Sequence, residues 1–541
     1  MLLVLAVAAA SLVLSSGFLP DETDFWQHLL VGRVLWETGS IPHTQIWTWP
    51  TFGTPDVLPS WGFRALLWPF WKIGGAWGLY LWRWLTTLLA FGFLWATGRR
   101  MGARGIAAVV VITLGGLVYR SRAQVRPETL VAILLALELW ILECRRRGFG
   151  DRSPWLIVIA WAWANIHISW YLGFVVLACY GVHDWRSRVP RRGRLLLVLA
   201  GMAVVSFLNP FGWRALWQPF DFALHGRGEV IFRDIVELQP VDWRTSWRSG
   251  LPLLVAGWPA LIVWRGRHGR IDWTEGLLCL FFTTAGVMVR RFIGFYAVVA
   301  TPFLMRDVDE WITARSWPGW SRNPWARAAL ACVTCIGIGL PEWTRPDLPL
   351  RVGVREDRYP IQAAEFVIEH EVRGRVFNPF YFGGYMLYRF WPDRGRLPFM
   401  DIHQAGTPEL RFLYMRVFYR PIGWAELDRR YRFDWALVDR VQRGADRLLD
   451  WIDADSSFAL VFLDDVAAVY VRRDGPMRDL AARLAYRTLP ASPTGRAAVL
   501  QASLADSALR RRVIDELERE AAGSPWHTTA SRILSSLSRS R

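Results

Sequence analysis

The chain has 541 residues, 53% of them hydrophobic, 34 tryptophans and a formal net charge of +17. Apolar runs recur through residue 340, which points to an α-helical polytopic membrane protein and away from a soluble enzyme. The charge does not point to nucleic acid, because most arginines before residue 340 sit in short links between apolar runs and no basic and aromatic binding module is present.

Lys72 is the only lysine, so arginine carries almost all of the positive charge. The five cysteines, Cys144, Cys179, Cys279, Cys332 and Cys335, lie in or beside apolar runs. Cys332 and Cys335 are spaced C-x-x-C without a nearby His or acid, so they read as packing residues and not as a zinc or redox pair.

The apolar run 2–18 lacks a basic n-region and is expected to be a retained first span. It leads into PDETDFWQHLLVGRVLWETG at 20–39, which puts Asp21, Glu22 and Asp24 where the chain leaves the bilayer. Acids at the edge of a hydrocarbon layer are costly and tend to be kept for function. If 24–38 is helical, Asp24 and His28 stack on one face, being four residues apart. A carboxylate at a helix start can also be a plain cap. As a trio these acids suit a general base for an acceptor hydroxyl, or oxygen ligands for a divalent metal such as Mg or Mn.

Further apolar segments fall at 75–98, 103–119, 127–143, 154–165, 169–183, 194–208, 251–264, 272–288, 291–305 and 324–340. With the first they make about eleven expected transmembrane helices. The pair 154–165 and 169–183 meets at a polar elbow holding Asn165 and His167, read either as a satisfied kink or as part of a site. With the N-terminus inside, the arginine-rich links 99–104, 145–147, 186–194, 265–270 and 306–327 fall on the inner face. Loops 20–74, 120–126, 165–169 and 209–250, and everything after 341, then share the outer face.

On that face, SRAQVRPETL carries Arg122, Arg126 and Glu128 at the start of a span. Paired guanidiniums suit a phosphate, although snorkelling to lipid headgroups is the plainer reading. The long loop 209–250 supplies Asn209 and Glu237, with Trp213, Trp217, Trp243 and Trp247 placed at headgroup depth. Arg290 and Arg291 interrupt an apolar stretch and need an acid or a phosphate as partner.

After Pro341 a soluble α/β domain is expected, with strands at 375–378, 397–400, 434–438, 458–463 and 466–472. It shows no catalytic spacing and reads as accessory. The polar helical tail 476–541 is expected to fray at its Arg/Ser-rich end.

Several of these motifs together resemble a known family. E-T-D-F-W-Q-H-L with G-x-x-x-x-x-x-G-x-I-P, R-P-E at 126–128, N-x-H at 165–167, N-P-F-G at 209–212, and the Arg pair at 290–291 are similar to bacterial polytopic glycosyltransferases of the GT-C superfamily. These are related to protein mannosyltransferase- and oligosaccharyltransferase-type membrane enzymes. The resemblance runs from residue 1 to about 475, with one departure: D-I-H stands at 401–403 where D-G-R is expected. It implies a transmembrane domain over 1–340 and an outer-face α/β domain over 341–475, in the bacterial inner membrane.

The resemblance also implies transfer of a sugar from a polyprenyl-phosphate donor to a glycan, lipid or protein acceptor. Asp24, Glu22 and Asp21 would be the catalytic acids or metal ligands. Arg122, Arg126, Arg290 and Arg291 would hold the donor phosphate, with His28, Glu128, Asn165, His167, Asn209 and Glu237 in support. A transporter or flippase, or a non-catalytic envelope-assembly protein, would use similar residues; no inverted repeat favours transport.

Overall fold

The computed structural model describes residues 2–19, 24–188, 193–233, 235–319, 323–403, 406–441, 446–524 and 529–539. Asp21 and Glu22, two of the three expected catalytic acids, lie outside the described residues. The first 343 residues form a helical bundle whose helices fall on the apolar runs of the sequence. Trp61–Met101 and Pro324–Trp343 are long and apolar enough to cross a membrane, while Leu2–Ser16, Trp155–Ile166, Gly193–Ser206 and Trp273–Met288 are apolar but shorter. Among the described residues two helices thus meet that length and composition, and the count of about eleven spans stays an expectation. Trp61–Met101 begins outside the apolar run expected at 75–98 and changes direction at Gly75.

At the bundle centre, the helix Ile293–Thr313 is buried without interruption from Ile293 to Asp307. Around the outside the pattern is inverted: Ile73, Leu197, Val204, Leu280 and Val333 all point outward and are exposed. Outward-facing apolar side chains of this kind are what a lipid or protein partner covers.

One end of the bundle is fastened by a buried ion network. Arg306 meets Asp272 at 3.0 Å, Asp307 at 2.8 Å, and Glu275. Arg265 joins Glu275 at 2.9 Å and Glu310 at 3.1 Å, and Arg146 meets Asp272 at 2.9 Å. Tyr180 donates to Glu143 at 2.8 Å, which brings in a further helix. In the sequence these arginines signal topology; in the fold they are structural partners. Charges withdrawn from water this far are costly unless each is matched.

The C-terminal domain is a four-stranded sheet, β1 (Val376–Phe377), β2 (Trp435–Asp439), β3 (Phe458–Leu463) and β4 (Ala467–Arg472), in the order β1-β2-β4-β3. β1 runs parallel to β2, and the other pairs are antiparallel. The strand expected at 397–400 is absent. That segment is held by Asn378, whose Oδ1 accepts from Phe399 N at 2.8 Å and whose Nδ2 donates to the Met400 carbonyl at 2.9 Å.

The tail also departs from expectation, because Thr529–Arg539 is a helix. Ala530, Ile533, Leu534 and Leu537 recur at helical spacing and pack with Val513 and Leu517 of the helix Ser507–Ala522. This apolar face fixes a segment that its Arg/Ser composition alone would leave frayed.

Replacing Arg306 by Ala leaves Asp272, Glu275 and Asp307 buried without their shared cation. The expected loss is about 3–5 kcal/mol of stability, read as a large drop in melting temperature in detergent. A melting temperature unchanged from wild type would remove this network from the stability of the bundle.

Candidate functional site

The site grows from the start of the helix Phe25–Thr38. Asp24 precedes its first turn, and His28 follows one turn later on the same face. A Cβ on Gly32 would stand 2.3 Å from the Arg64 carbonyl, so only glycine lets this helix lie against the one beginning at Trp61. That approach brings Arg64 to His28, where its Nε donates to Nδ1 at 3.2 Å.

A belt of charge joins Asp24 to the bundle. Arg126 lies 3.5 Å from Asp24 and 2.5 Å from Glu237. Arg122 bridges Glu237 at 2.8 Å and Glu128 at 3.0 Å. Arg291 approaches Glu128 at 2.9 Å and Glu237 at 3.9 Å. Three arginines thus share three carboxylates, the six side chains coming from four separate parts of the chain. Burial alone would raise the Glu237 carboxyl, but Arg126, Arg122 and Arg291 outweigh it and hold the group far below its ordinary 4.5.

His167 turns toward this belt, with Nε2 3.9 Å from Glu128. Its Nδ1 accepts from the Ser169 backbone at 3.1 Å, which leaves the ring proton on Nε2, facing the carboxylate. Burial lowers this histidine to about 4 against the pull of Glu128, so it is neutral near pH 7.

The two expected asparagines serve the scaffold. Asn165 accepts from Trp61 Nε1 at 3.0 Å and donates to the Trp161 and Leu208 carbonyls. Asn209 closes the N-P-F-G turn through Phe211 N and the carbonyls of Ser206 and Gly212. Of the expected phosphate-binding arginines, Arg122, Arg126 and Arg291 belong to the belt, whereas Arg290 has no carboxylate partner among the described residues.

Sequence reasoning passed over Arg64 and did not tie Asp401 and His403 to this site. His403 lies against His28, ring centroids 4.7 Å apart, so the C-terminal domain, expected as accessory, reaches the candidate site. Asp401 shapes the turn by accepting from His403 N at 2.6 Å. A Cβ on Gly383 would stand 2.3 Å from the Met400 carbonyl, so glycine in the helix Phe380–Phe390 permits the turn to approach. His403 Nε2 and Arg64 Nη1 are buried without hydrogen-bond partners among the described residues. D-I-H at 401–403 was visible as a motif, but nothing local in the sequence tied it to His28.

The divalent metal expected at the acidic trio would draw on Asp24 among the described residues. Among the described residues no three His, Cys, Asp or Glu side chains converge as a metal site. Glu128 and Glu237 are committed to arginines, and Asp24 is the one acid of the trio that is described.

No protein-family model matches the chain, and no curated protein matches it. Solved structures do. The apo oligosaccharyltransferase of Archaeoglobus fulgidus is similar with a TM-score of 0.58 at 12% identity, covering 88% of this chain and 75% of that one. The Archaeoglobus fulgidus oligosaccharyltransferase AglB, in complex with an inhibitory peptide and a dolichol-phosphate, gives a TM-score of 0.55 at 12% identity, covering 85% and 72%. ArnT from Cupriavidus metallidurans bound to undecaprenyl phosphate aligns over 87% of this chain and 97% of that one at 14% identity, but its TM-score of 0.49 carries no weight. The likeness establishes the fold alone: the chain shares the fold of the Archaeoglobus fulgidus oligosaccharyltransferase.

Burial, followed by His403 and then Arg64 for His28, and by Arg64 and Arg126 for His403, holds both histidines well below the ordinary 6.5. Stability from their neutral state is complete above pH 6.5 and is lost as pH falls below it, because the unfolded chain then takes up protons that the folded one refuses. The loss approaches about 1.4 kcal/mol per histidine per pH unit. Melting temperature should therefore fall between about pH 7.5 and about pH 5.5, and fall less in His403→Gln. Equal slopes in both proteins would exclude His403 as a source.

Proposed function

We propose that the chain is a membrane glycosyltransferase that moves a sugar from a polyprenyl-phosphate-linked donor to an acceptor hydroxyl, on the outer face of the bacterial inner membrane. The observation that carries this reading is the direct link of Asp24 to the arginine belt, on a GT-C fold. An acid and a set of phosphate-compatible cations are thereby held within one contact of each other. The apolar helices and their outward-facing surfaces support embedding in a bilayer. AglB has been solved with a dolichol-phosphate, which is in keeping with a lipid-phosphate donor here.

In this reading Asp24 accepts the proton of the acceptor hydroxyl, with Glu22 and Asp21 adjacent in sequence. The acceptor oxygen attacks the anomeric carbon as the bond to the phosphate oxygen breaks, which inverts the configuration. The electron pair leaves on the polyprenyl phosphate, whose charge requires cations at the moment of departure. Arg290 is available for it, and the carboxylate of Glu237 already sits where Arg122, Arg126 and Arg291 would present their donors. Donor binding then exchanges one anion for another: Glu237 yields and phosphate takes its place. The turn at 401–403 closes the acceptor side, with Arg64 Nη1 and His403 Nε2 as unsatisfied polar groups toward it.

Two substitutions test the scheme in nanodiscs with radiolabelled polyprenyl-phosphate sugars. Asp24→Asn should lower transfer by about 10²–10⁴-fold, the usual worth of a general base, with donor binding retained. Glu237→Gln should tighten binding of polyprenyl phosphate, because a competing anion is removed. Undiminished transfer in Asp24→Asn removes Asp24 from the mechanism. Donor binding without turnover in wild type, whatever the acceptor, favours a transporter or assembly protein.

A further inference from the structure

A cavity of about 520 Å³ opens between the helices Glu128–Arg146 and Trp155–Ile166, on the bundle side reached by following both away from the arginine belt. Its walls are apolar, with Leu134, Leu137, Trp140, Trp155 and Val158 among them, and Arg152 is the one charged residue in the lining. The lining runs from Leu134 to Ile141 on one helix and from Trp155 to Ala162 on the other. At 1.5 Å per residue this is about 10 Å of groove, within the roughly 15 Å depth of one leaflet's hydrocarbon.

The groove is polarised along its length. Arg152 stands at the end nearest the helix termini, its guanidinium 5.2 Å from the Trp140 ring centroid. Trp140 and Trp155 lie toward the same end, the arrangement expected of side chains at headgroup depth. Other arginines nearby are spoken for: Arg145 and Arg194 pair with Asp151 at 3.6 and 3.1 Å, and Arg145 also meets Asp184 at 2.6 Å. Arg152, and Arg100 stacked over Phe149, have no carboxylate partner among the described residues.

We infer that this groove binds an anionic phospholipid of the leaflet opposite the Asp24 site, with an acyl chain along the groove and the phosphate on Arg152. The inference rests on the membrane reading of these two helices, and is independent of glycosyl transfer. An apolar slot alone would accept any lipid chain. The unpaired guanidinium at one end selects for negative charge, and its position at the helix ends selects the leaflet. A lipid seated there would brace the helix that carries Glu128 at its far end.

Native mass spectrometry of the purified chain, titrated with phosphatidylglycerol or phosphatidylcholine of matched chains, tests this. One guanidinium near a headgroup is worth about a fivefold preference for the anionic lipid. Wild type and Arg152→Lys should show that preference, Arg152→Gln should lose it, and Val158→Trp should reduce retention of both lipids by filling the groove. Equal retention of the two lipids by wild type, or an undiminished preference in Arg152→Gln, would overturn the site. Retention of polyprenyl phosphate in preference to phosphatidylglycerol, abolished by Arg152→Gln, would overturn the assignment to a phospholipid. Release of the chain from membranes by alkaline carbonate without detergent would overturn the membrane reading itself.

Discussion

The arrangement depends on a charge balance at the edge of an apolar bundle. Glu128 is almost wholly buried, and so is Arg122. Neither would be tolerated alone in that position, because the desolvation of a lone ion exceeds what packing returns. Together with Arg126, Arg291, Glu237 and Asp24 they form a closed exchange in which each cation touches a carboxylate. The same contacts tie the loop 209–250 to the bundle and hold Asp24 beside it. One electrostatic constraint thus sets both the shape of this face and the position of Asp24.

The C-terminal domain is joined to that face by packing as well as by His403. Phe25, Trp26, Phe63 and Leu67 share one apolar core with Tyr359, Ala363, Val376 and Phe382. Trp49 Nε1 donates to the Val376 carbonyl at 3.0 Å, and Trp71 Nε1 to the Tyr388 hydroxyl at 2.9 Å. Tryptophans in the loop 20–74 therefore do two jobs, filling the junction and satisfying polar groups that the junction would otherwise bury. This continuity is why a turn near residue 401 can reach a helix that begins at residue 25.

The sequence made the helices legible because apolar runs and their polar breaks follow from periodicity and need no tertiary information. The elbow at Asn165 and His167 was readable for the same reason, and so was the stacking of Asp24 with His28. What stayed hidden depends on long-range pairing. Arg64 looks like any loop arginine until the helix from Phe25 is laid against it. Arg306 and Arg265 mark an inner link in sequence, yet both are largely buried in a network with Asp272, Glu275 and Asp307. The segment 397–400 has strand composition, but Asn378 captures the backbone groups that a neighbouring strand would have used.

The charge balance also explains how such a face could discriminate among ligands. The three carboxylates offset Arg122, Arg126 and Arg291, so the belt presents little net field to a passing anion. Arg64, buried beside His28, and Arg290 lie outside this account, and in the proposed reading their charges are the ones left to a phosphate-bearing ligand. A singly charged anion would gain from them but could not displace Glu237, which three guanidiniums hold in place. A phosphate, with more charge and several acceptor oxygens in fork geometry, could do both. Selectivity would then come from the carboxylate already in the site, because an incoming group must bind the arginines better than Glu237 does.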